Sequence, residues 1–246
     1  MAAWVHEQVE ARLNSSFEKQ EHPDLVHYLL EQSDEPLTAE RALRMRGDSL
    51  NAIVAGSHPI PAVLMGLFSE LAQKPWHIEL VYQEVASVDL TDRKALAALP
   101  HLNAVLQEAL RLYPVLPTGG PRQTGDQGVT IASVFIPPLT TIISPRFSIQ
   151  RREDCFEKAN EFIPERWTTR GEMIRNIAAY NPWGTAHHSC VARAMAIGML
   201  RVTTAQLIKK YKFHLAPGET GRRVLEDMKD QLAPNPGPLL LRFELR

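Results

Sequence analysis

The sequence predicts a mainly α fold with small β elements, and three observations carry that expectation. Apolar residues recur at helical spacing through most of the first 115 residues. A β-branched stretch broken by prolines is confined to residues 128–143. An almost wholly apolar helical segment then returns at residues 191–211.

Each element has a local reason. Residues 2–14 are charged and helix-forming, and residues 23–33 make a short second helix. The third segment starts at Thr38, whose hydroxyl suits an N-cap, with Glu40 favourable in the first turn. Its apolar pattern runs to about Leu71 and stops at Lys74-Pro75; another helix fits residues 76–87. Residues 101–113 are the cleanest case, because Leu102, Val105, Leu106, Ala109, Leu110 and Tyr113 keep to the i, i+3, i+4, i+7 rule. That helix ends at Tyr113-Pro114, and the Pro- and Gly-rich stretch 114–121 cannot stay helical. Residues 128–143 suggest short strands, and residues 160–190 read as irregular loop. The helix at 191–211 is apolar on nearly all sides, which implies burial on most of them. After Pro217 come turns and a final strand at residues 239–243. No repeat and no boundary signal divides the chain, so residues 1–246 read as a single region.

Composition excludes several classes. Hydrophobic residues at 44% and charged residues at 22% are ordinary for a globular protein. A net charge of −1 gives no field to attract nucleic acid. No continuous apolar run reaches the roughly 18 residues that span a bilayer, and the first twenty residues are polar. The expectation is therefore neither a signal peptide nor a transmembrane segment. Cys155 and Cys190 are too few for a disulfide framework or a multi-cysteine zinc site, which suits a reducing intracellular setting.

Cys190 carries the most chemistry. It closes the loop Asn-Pro-Trp-Gly-Thr-Ala-His-His-Ser-Cys, residues 181–190, which runs into the apolar helix. A sulfur at a helix N-terminus is drawn towards thiolate, and a thiolate is a strongly donating axial ligand for haem iron. Taken alone, Cys190 reads more readily as a small buried residue without chemistry. Cys155, flanked by charges, is an ordinary free thiol. A zinc site from His187, His188 and Cys190 is a poor match, since adjacent ligands in one loop lack separated pairs.

Two further motifs supply context. Glu108 and Arg111 form a Glu-x-x-Arg pair that by itself looks like a surface ion pair of ~0.2–0.5 kcal/mol. Phe162-Ile163-Pro164-Glu165-Arg166-Trp167 follows, and then the Cys190 loop. In this order the three resemble the cytochrome P450 family. Glu108 to Arg111 is similar to its K helix. Pro164 to Trp167 is similar to the segment whose arginine completes a buried ion triad. Pro182 to Cys190 is similar to its haem loop. The K-helix-like segment spans about 101–113, the haem-loop-like segment about 180–193, and an I-helix-like segment about 38–73.

The resemblance implies haem b, with Cys190 as the metal ligand and Arg122, Trp183, Gly184, His188 and Ala192 around the cofactor. Ala55-Gly56-Ser57 matches the oxygen-binding bend, leaving Ser57 and His58 as the candidate catalytic proton donors. The phrases Pro-Glu-Arg-Trp-Thr-Thr-Arg and Leu-Ala-Pro-Gly-Glu look most like fungal secondary-metabolism members. The implied activity is haem-thiolate monooxygenation of a small apolar natural product. An NADPH-dependent reductase would be the redox partner, and the location cytoplasmic or peripheral to the endoplasmic reticulum.

Departures from the family pattern are equally specific. Ala186, His188 and Ala192 stand where the family usually has Gly, Arg and Gly. Ala186 would cost ~1 kcal/mol if its backbone is left-handed. His188 lacks a permanent charge and a fork of donors. His58, Pro59, Ile60 and Pro61 replace the acid and threonine of the distal proton relay, and the prolines break or kink the helix. At 246 residues the chain is about half the family's usual length, so the fold expected is a truncated cytochrome P450-like one. A second copy or a partner protein would cover the open face. The alternative is a haem-free descendant that acts as a non-redox enzyme or a partner-binding pseudoenzyme.

Overall fold

The helices form where apolar periodicity and helix-starting residues agree. The computed structural model describes residues 2–14, 23–31, 38–231 and 233–246. The described residues fall into two compact units, Met1–Ser57 and His58–Arg246, although the sequence carries no composition shift between them.

The first unit holds α1 (Ala2–Asn14), α2 (Leu25–Glu31) and α3 (Ala39–Ser57). Val5, Val9 and Met45 are its buried apolar residues, and Arg46 pairs with Glu10. The Thr38 hydroxyl accepts the Arg41 N–H at 3.2 Å, which is the N-cap the sequence suggests. Ile53 and Val54, near the C-terminal end of α3, are exposed.

The second unit begins where proline interrupts the apolar run. α3 ends at Ser57 and α4 (Pro59–Gln73) starts with Pro59 at its first position, where the missing N–H costs nothing. α5 (Pro75–Val85), α6 (Arg93–Ala98) and α7 (Pro100–Leu112) follow. β1 (Arg122–Gln123) pairs antiparallel with β4 (Thr141–Ile142), and β2 (Val129–Ile131) pairs with β3 (Val134–Ile136). After α8 (Arg146–Ile149), residues 164–188 carry short 3-10 turns, and α9 (Arg193–Lys210) returns to regular helix. β5 (Tyr211–Leu215) follows without a break, then α10 (Arg223–Glu226), the hairpin β6 (Lys229–Gln231) with β7 (Ala233–Asn235), and β8 (Leu241–Leu245), antiparallel to β5. The last strand is thus displaced from the 239–243 expected, because Phe213 takes Phe243 as its cross-strand partner.

One core holds this unit together. Leu67 and Leu71 of α4, Val81 and Val85 of α5, Leu102, Val105 and Ala109 of α7, and Leu200 and Ile208 of α9 are all buried in it. α4 is apolar because it runs through this core. The helical run Ala39–Gln73 also contains a window long and apolar enough, by length and composition, to cross a membrane, 33% of it buried. A single such window also occurs in core helices of globular proteins, so it neither establishes a membrane span nor confirms the expectation that there is none. A search for unbroken apolar runs misses a segment whose hydropathy is high only on average.

Candidate haem-thiolate site

Glu108 and Arg111 lie on the face of α7 away from its apolar stripe, yet both side chains are fully buried. The 3-10 turn Pro164–Trp167 packs over that face and brings Arg166, also buried, against Glu108. Glu108 Oε1 accepts from Arg111 Nη2 at 2.8 Å, Arg166 Nε at 2.9 Å and the Ile163 N–H at 2.9 Å. Its Oε2 accepts from Arg111 Nε at 3.0 Å and the Trp167 indole N–H at 2.9 Å. Arg111 Nη1 donates to the Gln150 and Ala159 carbonyls, both at 2.6 Å, and Nη2 donates to the Glu161 carbonyl at 3.1 Å. Arg166 Nη1 donates to the Glu157 carbonyl at 3.0 Å. One carboxylate faces two guanidiniums, and backbone carbonyls absorb the surplus positive charge. Burial pushes the Glu108 carboxyl up, but the Arg111 hydrogen bonds and charge, the Arg166 charge and the Ile163 N–H outweigh it. The carboxyl is held below its ordinary value of 4.5.

The triad leads physically towards the cysteine loop. The Trp167 ring sits 4.5 Å, centroid to centroid, from Tyr180, and Tyr180 and Trp183 pack against the main core. From there the chain closes on itself, as the Cys190 N–H donates to the Trp183 carbonyl at 2.7 Å. Gly184 has φ +74°, and a Cβ there would stand 2.9 Å from the His188 carbonyl oxygen, so this position needs glycine. Ala186 has φ +51°, the left-handed conformation that its Cβ opposes.

This loop gathers Trp183, Gly184, His188, Cys190 and Ala192. Ala192 is the N-cap residue of α9, and the Cys190 carbonyl accepts the Arg193 N–H at 3.3 Å. Cys190 therefore precedes the helix start and is exposed rather than buried. Exposure continues past it: Val191 before the helix and Met195 and Met199 on it are exposed, and the buried residues of α9 begin at Leu200. The expectation of burial on most sides of this helix is corrected. Val191 ahead of the helix and Met195 and Met199 in its first half are exposed apolar residues, with the exposed Arg193 among them. Arg122 lies on β1, exposed, with Nη1 donating to the Pro121 carbonyl at 2.9 Å. Ser57 closes α3 in the first unit, and the exposed His58 opens the second.

These residues suit a haem. An exposed cysteine thiol, exposed apolar side chains that follow it in the chain, and the donors of Arg122 and His188 are groups of the kind that a flat apolar macrocycle with two carboxylates requires. Among the described residues no group of three or more His, Cys, Asp or Glu is placed to hold a metal ion, so the zinc alternative finds no ligand set.

Sequence reasoning missed one buried polar cluster in the same unit. His77 Nδ1 lies 3.1 Å from His101 Nε2 and 3.9 Å from Glu165 Oε1. Burial, partly opposed by Glu165 and reinforced by His101 and Lys74, pushes His77 down from 6.5 to about 4. The His-His pairing had no signal in spacing, because α5 and α7 meet only in three dimensions. The segment 191–211 reads in sequence as apolar on nearly all sides, but apolar sequence does not say what covers it.

Comparison with known proteins agrees with this geometry. The cytochrome P450 family model matches residues 2–243. Cytochrome P450 monooxygenase sthD of Phaeosphaeria nodorum is 34% identical over 230 residues, covering 92% of this chain and 48% of that protein. Tryprostatin B 6-hydroxylase of Aspergillus fumigatus is 31% identical over 218 residues, covering 86% and 39% respectively. The crystal structure of a cytochrome P450 (CYP102L1) superposes with a TM-score of 0.81 at 25% identity, covering all of this chain and 55% of the other. The chain spans about half the length of the curated relatives it matches.

Proposed function

The chain belongs to the cytochrome P450 family, and from that premise we propose that it carries the haem-thiolate site of a monooxygenase acting on a small apolar natural product. The observation that supports this most is the Cys190 loop, tied by the Cys190 N–H to the Trp183 carbonyl, with its thiol exposed ahead of α9. A haem held there through Cys190 would supply dioxygen activation at its iron. In the overall reaction one oxygen atom of dioxygen enters a C–H bond. The other leaves as water, with two electrons from NADPH through a reductase and two protons.

The chain's own residues have separate tasks. Cys190 offers Sγ as the ligand. Arg122 and His188 hold the cofactor's propionates, His188 with a single hydrogen bond and no fixed charge. Gly184 gives the loop a turn that a Cβ would obstruct. Ser57 and His58 are the proton donors left to the distal side, since Pro59, Ile60 and Pro61 have none to offer. The reading of fungal secondary metabolism draws on relatives such as tryprostatin B 6-hydroxylase.

The test is the absorbance of the purified chain, expressed with haem precursor, reduced and exposed to carbon monoxide. A band near ~450 nm that disappears in Cys190→Ser is the expected result. Protein that takes up no haem refutes the proposal.

A haem-free role as a partner-binding protein is favoured by the left-handed Ala186 and the proline break after His58. It requires that Cys190→Ser leave activity or partner binding intact.

A further inference from the structure

We propose that Arg146 is a second guanidinium for the haem propionates, standing beside Arg122 and supplying the fixed charge that His188 lacks; this rests on the haem reading above. The backbone brings the two arginines together. Arg122 is in register with Ile142 across the β1–β4 ladder, and the chain returns from Ile142 to Arg146 at the start of α8. The Phe147 N–H donates to the Pro117 carbonyl at 2.9 Å. Gly119, with φ +84°, lies so close to Ser144 that a Cβ would be 2.3 Å from its carbonyl oxygen. Residues 117–122 are thus pressed against residues 144–147. Within this joint Arg122 folds back over Gly120, where a Cβ would be 3.2 Å from Nη1.

The charges at this joint are unbalanced. Arg146 is half-buried, and among the described residues its guanidinium enters no hydrogen bond and no ion pair. Among the described residues the Arg122 guanidinium bonds only the neutral Pro121 carbonyl, and no carboxylate forms an ion pair with it. Burial, and then the Arg122 charge, hold Arg146 below the ordinary guanidinium value. Every other buried or half-buried arginine of the triad region donates to carboxylate or carbonyl oxygens. The carboxylate of Asp230 accepts from Thr118 of this joint but, among the described residues, forms an ion pair with neither arginine. Two neighbouring cations outside any ion pair lower their energy by taking a carboxylate from outside, and a guanidinium fork fits a carboxylate in two-point contact.

The experiment uses the whole chain reconstituted with haem or with haem dimethyl ester, whose propionates carry no charge, and follows cofactor loss to excess apomyoglobin. Arg146→Gln is expected to speed haem loss about tenfold, the size of one charge-assisted contact, and to leave the dimethyl ester rate unchanged. Arg146→Lys, which keeps the charge and loses the fork, falls between. Equal acceleration for both cofactors would mean a packing role and overturns the assignment. So does an unchanged haem rate in a protein that shows the thiolate spectrum, and that result leaves the haem reading standing. A wild-type chain that binds neither cofactor overturns both.

Discussion

Replacing Glu108 with Gln probes the buried triad with almost no change of shape. In the wild type, Oε1 accepts three hydrogen bonds and Oε2 two, all between 2.8 and 3.0 Å. Glutamine turns one of those oxygens into an NH2, so whichever way the amide faces, at least two N–H donors meet another donor. The guanidiniums of Arg111 and Arg166 are simultaneously left with no counter-charge while fully buried. Removing one partner of a buried ion pair costs roughly 3–5 kcal/mol, against under ~1 kcal/mol for an exposed pair. In a chain of this size each kcal/mol moves Tm by ~2–4 °C, which places the loss at roughly 6–20 °C. Thermal melts followed by circular dichroism measure it, with the exposed pair variant Arg152→Gln as the comparison. A Glu108→Gln protein melting within ~2 °C of wild type would refute the reasoning, because it would mean that solvent reaches the triad.

Acid should weaken this fold in two stages of the same sign. His77 has its proton affinity lowered from 6.5 to about 4, so the unfolded chain binds a proton that the folded chain refuses. Stability should therefore decline as pH falls from 6.5 towards 4, by up to roughly 3 kcal/mol, and His77→Phe should flatten that part of a urea-midpoint profile. Glu108, lowered from 4.5, adds a contribution that is full above that value and is lost as pH falls through its folded value. Gly66→Ala would put a Cβ 2.2 Å from Tyr113 Cγ, inside the core. A loss of ~1–3 kcal/mol is expected, along with disturbance of the 2.8 Å bond from Tyr113 Oη to Glu70, and a chemical melt without loss would contradict the packing described. Ala186→Gly relieves a left-handed alanine and should raise stability by ~0.5–1 kcal/mol; a fall would mean the loop does not hold φ +51°.

What the sequence disclosed depended on how local the cause was. α7 was legible because its stripe is long and regular. The triad was legible only as an ordered set of motifs, since an isolated Glu-x-x-Arg pair looks like surface. α6, six residues long, offered one sign: Asp92, whose carboxylate accepts the Lys94 and Ala95 N–H groups as an N-cap. β5 was hidden because Tyr211 to Leu215 follows α9 with no glycine or proline to mark the change. The surroundings of Cys190 were misjudged for a different reason. Apolar sequence predicts contact with something other than water, and an apolar helix face can serve a cofactor or partner as well as the protein's own core.

A buried ion triad is not the most stable way to fill this volume, so its use asks for another reason. Apolar side chains of similar size often stabilise as well or better. Hydrogen bonds, however, are directional, and the triad ties α7 to the carbonyls of residues 150, 157, 159 and 161 and to the N–H of Ile163. It also fixes the Trp167 indole, against which Tyr180 packs just ahead of the cysteine loop. The triad on this view sets the register of the segment that delivers Cys190, which a non-directional apolar cluster would leave free to shift. The variant Glu108→Leu/Arg111→Met/Arg166→Met separates the two roles. It leaves no buried charge unpaired but strips the carbonyls of residues 150, 157, 159 and 161 and the N–H groups of Ile163 and Trp167 of their partners, so it should melt below wild type and release haem faster because the loop is no longer held in place. If the triple variant kept both its melting temperature and its rate of haem loss, the triad would contribute only volume.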